Sequence, residues 1–304
     1  MKLEELRIGF IGAGRLGKAL GWHCARQGLG VLAVANRTTA NAQRLAERIP
    51  GCEVLPPQDV AESCDIIFLT TTDKEIGSAC NALRWRPGSF VVHCSGATEI
   101  SELKKAANDG ALIGGFHPLQ TFGDPEAAMQ SLPGCTITIE AEAPLDSILA
   151  SLAARLECRV NRLPPGARPM YHAAAGYASQ YLNALLLEAS SMWCSWGGTE
   201  ADAVAALMPL VRGTLASISQ VGLAAAMPGP VSRGDILSVE KHITAIKDFD
   251  PAALILYGEL CRRTIHLALA TGRIDHIAAA GIGELLTKEC IPPAVVGDVA
   301  HNMD

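Results

Sequence analysis

The stretch Ile8-Gly9-Phe10-Ile11-Gly12-Ala13-Gly14-Arg15-Leu16-Gly17 joins a short apolar run to Gly-x-Gly-x-x-Gly, and Lys18-Ala19-Leu20-Gly21-Trp22-His23 after it reads as helix. The order is strand, tight turn, helix. Gly12 permits the turn, Gly14 leaves room for a pyrophosphate against the backbone, and Gly17 lets the helix pack closely on the strand. Phosphates would meet free N–H groups and the positive end of the helix dipole. Gly12, Ala13, Gly14, Arg15, Leu16 and Gly17 are therefore the expected phosphate-binding turn.

The next strand, Val31-Leu32-Ala33-Val34-Ala35, ends where such units meet the adenosine ribose, roughly 20 residues past the glycines. An Asp or Glu there binds the 2′-hydroxyl of NAD. This chain has Asn36-Arg37-Thr38-Thr39. With no carboxylate to repel a 2′-phosphate, and a guanidinium and hydroxyls to bind it, the chemistry points to NADP. The competing account makes Arg37 a solvated residue at a strand end and Thr38 or Thr39 the cap of a helix over 40–49.

A chain of 304 residues accommodates two domains at ~100–200 residues each. At 49% hydrophobic and 18% charged, it can bury a substantial core. A net charge of −6 without basic clusters argues against nucleic acid or an anionic membrane as the main partner. The apolar stretches read as too short or too interrupted to span a bilayer, and no signal peptide is visible. Ten scattered cysteines without a Cys-x-x-Cys pair fit free thiols in a reducing cytoplasm and give no metal-ligand spacing.

From residue 2 to about 161, short apolar runs alternate with helical stretches, which implies a doubly wound, mainly parallel sheet covered on both faces. After a weak third strand over 51–55, Asp65-Ile66-Ile67-Phe68-Leu69-Thr70 is a strong fourth that delivers Thr70, Thr71 and Thr72 to the edge where ligands bind. Phe90-Val91-Val92-His93 is followed by Cys94-Ser95-Gly96-Ala97. Gly96 there either lets the backbone pass close to a nicotinamide, with Ser95 bonding cofactor or substrate, or the segment is a simple turn. The sixth strand, 111–116, brings His117-Pro118 to the same edge; strands over 135–139 and 158–161, with a helix over 144–156 between them, close the sheet.

Leu163-Pro164-Pro165-Gly166-Ala167-Arg168-Pro169 is the clearest break, so the expected domains are 1–163, α/β and dinucleotide-binding, and 164–304, all-α. In the second, 170–196 reads as one long helix, another starts at Glu200 and bends or breaks at Pro209, and Asp250-Pro251 starts a third that reaches about Ala270.

Three features carry possible chemistry. His172, Gly176, Ser179 and Asn183 share one stripe of the first helix of that second domain, and either line a substrate cleft or find partners in neighbouring helices. His117, past a strand end and before a proline, can exchange a proton near neutral pH. His93 and the other histidines lack comparable placement. In Met227-Pro228-Gly229-Pro230-Val231-Ser232-Arg233-Gly234-Asp235, Arg233 either clamps a substrate carboxylate or pairs with Asp235.

Together His93-Cys94-Ser95-Gly96, Gly115-Phe116-His117-Pro118-Leu119-Gln120-Thr121-Phe122, Tyr171-His172-Ala173-Ala174-Ala175 and Gly229-Pro230-Val231-Ser232-Arg233-Gly234-Asp235 resemble the Rossmann-like oxidoreductases whose C-terminal part is domain of unknown function 2520. The resemblance spans nearly the whole chain. It implies a two-domain, NADP-linked fold related to ketopantoate reductase, pyrroline-5-carboxylate reductase and the 6-phosphogluconate dehydrogenase group, commonly dimeric through the helical domain. Phe116-His117-Pro118 looks like the His-Pro of prephenate dehydrogenases. The lysine that ketopantoate reductases and β-hydroxyacid dehydrogenases carry on the first long helix is absent, and His172 is the nearest ionisable substitute.

The resulting expectation is an NADPH-dependent reductase of a small carboxylate-bearing carbonyl such as a 2-oxo acid. His117 or His172 would act as acid, Arg233 would hold the carboxylate, and Ser95, Ser179 and Asn183 would orient the polar oxygen. A cyclic imine substrate and a non-catalytic NADP(H)-binding redox sensor are the alternatives. A homodimer through the helical domain is the expected assembly.

Overall fold

The computed structural model describes residues 3–290 and divides into two compact units, 1–180 and 181–304. The first is built on β1 (Ile8–Ile11), β2 (Val31–Ala35), β3 (Glu53–Val54), β4 (Ile66–Leu69), β5 (Phe90–His93), β6 (Leu112–Pro118), β7 (Thr136–Ala141) and β8 (Arg159–Arg162). They form one sheet in the order β3-β2-β1-β4-β5-β6-β7-β8, parallel throughout except for the antiparallel β6–β7 pair. Sequence and structure agree here on a doubly wound α/β unit.

Every residue of β1, β4 and β5 is buried, as a parallel sheet covered on both faces requires. Successive side chains alternate between two cores. Phe10, Phe68 and Phe116 meet on one face, with ring centroids 5.4 and 5.6 Å apart, under α1 (Arg15–Arg26) and a helix over Leu145–Arg155. Ile11, Ile67 and Val91 fill the other, under helices that contribute Val60, Ile76 and Ala106. The two ends of the sheet differ from its middle, since β3 is two residues long and all four residues of β8 are exposed.

The compact unit reaches past the Pro-Pro-Gly break at 163–169 because the helix after it is tied to the sheet. That helix, α2 (Arg168–Ala178), begins with an arginine that is fully buried. Arg168 Nε donates to the Glu140 carboxylate on β7, and its Nη1 donates to the Ser95 carbonyl at 2.8 Å. Gly115 on β6 makes room for the guanidinium, whose Nη2 occupies the space that a Cβ would take. Buried charges persist when paired and hydrogen-bonded in this way.

The single long helix expected over 170–196 is two helices, α2 and α3 (Gln180–Cys194). Ser179 separates them at φ −128°, ψ −82°. Its hydroxyl donates to the Ala175 carbonyl at 2.7 Å, a back-bond to the fourth preceding residue that bends helices.

The described part of the second unit is helical. After α3 come α4 (Glu200–Val221), a short turn at Leu223–Ala226, α5 (Ile236–Phe249), α6 (Pro251–Ala270) and α7 (His276–Glu289). Val239, Ile243, Leu254, Ile282 and Leu286 form its main core. Asp250 caps α6 by accepting the Ala252 N–H at 2.8 Å, as the Asp-Pro signal implies. Of the bend or break expected at Pro209 the break is not found, since α4 continues through it. Pro209 cannot donate to the Ala205 carbonyl, but Ala205 is exposed and water can take that bond. A Thr199–Asp202 capping box starts the helix. α4 also corrects the reading of the apolar stretches: among the described residues it is one helix long and apolar enough, by length and composition, to cross a bilayer.

Candidate functional site

The glycine turn is a knot of close approaches. Gly12 has φ +117°, its N–H donates to the Ala35 carbonyl at 2.8 Å, and a Cβ would strike the Thr70 backbone. A Cβ on Gly17 would lie 2.4 Å from the Gly12 carbonyl oxygen and 2.8 Å from Thr70 Oγ1. Thr70 Oγ1 donates to that same Gly12 oxygen at 2.6 Å. Gly14 differs: nothing lies within 4 Å of where its Cβ would be, and no side chain caps α1. That open backbone at a helix start is what a pyrophosphate requires.

A cavity of about 540 Å³ opens beside this turn, bordered by Gly12, Gly14, Asn36, Arg37, Thr38 and Thr70–Thr72. Asn36 braces it: Oδ1 accepts the Ala13 N–H and Nδ2 donates to the Thr38 carbonyl, both at 2.9 Å. Thr38 occupies the cap position of its helix without a side-chain capping bond. Arg37 is exposed and makes no ion pair among the described residues. Arg15 is exposed at the start of α1, and Leu16 packs against the core. The residues present fit a phosphorylated dinucleotide, with an open backbone for its pyrophosphate and an unpaired guanidinium at the end of β2.

Along the same sheet edge, His117 near the end of β6 and His172 of α2 meet at Gly96, just past β5. A Cβ on Gly96 would lie 2.8 Å from His117 Cε1, 3.0 Å from His117 Nε2 and 2.8 Å from His172 Nδ1. Gly96 is the gap that both imidazoles border. His117 Nδ1 and the Tyr171 hydroxyl are 2.6 Å apart, with the rings edge-on. Burial, with the nearby His172 and Arg168, depresses the His117 pKa to about 4, against the opposing pull of Asp73. Burial raises the Tyr171 phenol, so the hydroxyl keeps its proton. One hydrogen lies between His117 Nδ1 and the Tyr171 oxygen, and Nε2 is the ring nitrogen beside Gly96. His172 is exposed to solvent.

Ser95 is buried, and its hydroxyl accepts the N–H groups of Ala97 and Thr98 at 3.1 and 3.0 Å. The Ser179 hydroxyl is engaged by Ala175, as described above. Asn183 and Arg233 belong to the second unit, where both are exposed. Asp235 does not pair with Arg233; it caps α5 through the Ser238 N–H and hydroxyl at 3.1 and 2.6 Å.

Four residues beside this site escaped sequence reasoning: His93, Glu140, Arg168 and Tyr171. His93 corrects the view that it lacks placement. It is fully buried, its Nδ1 accepts the Ser95 N–H at 3.2 Å, and burial with neighbouring Arg168 lowers its pKa to about 3. Alternation in Thr136-Ile137-Thr138-Ile139-Glu140 puts Glu140 on the face of the threonines, whose burial the sequence does not signal. Arg168, inside a proline-rich break, gave no signal.

Residues 1–118 match the family model of a Rossmann-like domain, and residues 135–264 match that of the domain of unknown function DUF2520. No curated protein matches the sequence. Among solved structures, a candidate NADP oxidoreductase from Bacteroides fragilis is similar at 23% identity and TM-score 0.69, over 87% of this chain and all of that one. Pyrroline carboxylate reductase from Plasmodium falciparum, with NADP bound, aligns at 12% identity and TM-score 0.60 over 88% of this chain and all of its own. A reductive aminase from Aspergillus terreus, in complex with NADPH and ethyl-5-oxohexanoate, aligns at 17% identity and TM-score 0.59 over 93% of each chain. These likenesses establish a shared fold.

Proposed function

From a chain that joins a Rossmann-like domain to a DUF2520 domain, we propose an NADPH-dependent oxidoreductase that reduces the carbonyl of a small carboxylate-bearing molecule such as a 2-oxo acid. The observation that carries this reading is the convergence of His117 and His172 on Gly96, at the sheet edge that also holds the glycine turn. Reduction of C=O leaves charge on oxygen and needs a proton donor there. Two imidazoles at one gap can meet that need.

Arg37 and Thr38 take the 2′-phosphate, and the open backbone at Gly14 takes the pyrophosphate. NADPH, when bound, supplies the hydride, the electronically difficult part of the reaction. His172 gives its proton to the substrate oxygen, and neutral His117 donates a hydrogen bond from Nε2 to that oxygen. Arg233 is exposed and makes no ion pair among the described residues, and its planar fork suits a carboxylate. The expected homodimer through the helical unit belongs to the same reading; it is supported by Leu210, Leu215 and Val221, which α4 leaves 52–65% exposed. Sedimentation at twice the chain mass supports that assembly, and a monomer removes it.

A second reading, reduction of a cyclic imine, is favoured by the fold shared with a pyrroline carboxylate reductase and a reductive aminase. A protonated C=N needs no acid. The test is to mix the protein with NADPH and a panel of 2-oxo acids and cyclic imines while following the absorbance of the reduced nicotinamide. Consumption with a 2-oxo acid supports the first reading, consumption with imines alone supports the second, and NADPH binding without consumption by any member defeats both.

A further inference from the structure

Cys135 and Cys158 lie just before β7 and β8, which pair in parallel with Thr136 opposite Arg159. The ladder continues past them: Arg159 N–H donates to the Cys135 carbonyl at 2.8 Å and Gly134 N–H to the Glu157 carbonyl at 2.7 Å. The two cysteines are therefore lateral neighbours. Adjacent strands are ~4.8 Å apart, within the ~4.4–6.8 Å Cα separation that a disulfide bridges. Their sulfurs point to the same side and are 3.7 Å apart, and both residues are half-buried. A small polar cavity of about 290 Å³ opens within two residues of each, at Pro133 and Glu157. Glu157 holds a left-handed φ of 58° immediately before Cys158.

We propose that Cys135 and Cys158 are a redox modification site, closing to a disulfide when the protein meets a hydroperoxide. The Cys135 thiolate attacks the terminal peroxide oxygen, the O–O bond breaks, and the departing alkoxide or hydroxide takes a proton from solvent and leaves as alcohol or water, giving the Cys135 sulfenic acid. Cys158 sulfur then attacks Cys135 sulfur; the S–S bond forms, the S–O bond breaks, and the departing hydroxide takes the Cys158 proton as water. The thiols lose two electrons and the peroxide gains them. Cys135 acts first because the Cys158 S–H is directed at the Leu132 and Leu156 carbonyl oxygens, 3.2 and 3.3 Å away, which keeps that thiol protonated, and the lower pKa of the pair falls to Cys135. A small dithiol reverses the bond by exchange. Closure staples the outermost strand, β8, to β7.

Trypsin leaves Cys135 as the single cysteine of 106–155 and Cys158 as that of 156–159. The full-length protein, treated with a slight excess of hydrogen peroxide, blocked with iodoacetamide and digested without reductant, should yield these two peptides linked in most chains. Dithiothreitol should separate them. In the Cys158→Ser variant, dimedone should label Cys135. The proposal is overturned if both thiols stay open to iodoacetamide, if exposed Cys194 alone reacts, or if Cys135 is oxidised without linking to Cys158.

Discussion

The Tyr171 hydroxyl sits 2.6 Å from His117 Nδ1 and so sets which ring nitrogen faces the gap at Gly96. Tyr171 comes from α2, which the Arg168–Glu140 pair ties to β7, and His117 from β6, the antiparallel neighbour of β7. The position of the ring therefore depends on a buried ion pair as well as on its own hydrogen bond.

His172→Ala should lower kcat about 100-fold or more with NADPH affinity unchanged, the usual loss for removal of a general acid. Tyr171→Phe should lower kcat less, since it frees the His117 ring without deleting it. Gly96→Ala should lower kcat while preserving NADPH binding, because its methyl group would strike both imidazoles. Steady-state kinetics with fluorescence titration of NADPH checks all three; full activity in both His172→Ala and His117→Ala would remove the proposed acid.

Arg37→Ala should weaken NADPH binding by about tenfold to a hundredfold and leave NADH binding nearly unchanged, given ~1.5–3 kcal/mol for hydrogen bonds to a charged group. Asn36→Ala should weaken both, since Asn36 braces Ala13 and Thr38. Equal losses for both cofactors at Arg37 would contradict the 2′-phosphate assignment.

Stability should fall on acidification through His93. Its folded-state pKa of about 3 lies below the ordinary ~6.5, so between these values the unfolded chain binds more protons. The contribution is present above pH 6.5 and is lost as pH falls towards 3. From pH 8 to pH 5 the loss is about 2 kcal/mol, and His117 adds a loss of the same sign down to about pH 4. Urea unfolding at the two pH values should show a smaller difference for His93→Gln; an unchanged difference would refute the assignment.

Glu140→Gln should destabilise the first unit by about 3–5 kcal/mol, because it leaves the buried Arg168 charge uncompensated. Replacing Glu140 and Arg168 together by Gln and Met should cost much less. A double-mutant cycle on the denaturation midpoint measures the difference, and equal costs for the single and double variants would argue against a tight pair.

What was legible in the sequence is what local physics fixes. Gly12 and Gly17 announce a turn where no side chain fits, Ile66-Ile67-Phe68-Leu69 announces a strand buried on both faces, and Asp250-Pro251 announces a helix start. What was hidden depends on distant partners. Glu140 and Arg168 are 28 residues apart, and neither signals the other. Helical periodicity carries across Ser179, and no proline marks the break that the backbone makes there. Pro209 reads as a breaker because propensity does not register that the orphaned Ala205 carbonyl faces water. For the candidate site, His117, His172 and Gly96 were found separately; that they share one gap is a tertiary fact.

The exposed margins of the sheet bear on whether a foreign strand can be added to it. An unpaired strand edge is a template for a foreign strand, and long, flat, uncharged edges seed aggregates. Here one margin is the two-residue β3, and the other, β8, reads Arg159-Val160-Asn161-Arg162, with two guanidinium groups in four residues. Neither offers a length of backbone on which a further strand could be laid without setting like charges side by side, so growth of the sheet from chain to chain is blocked at both margins.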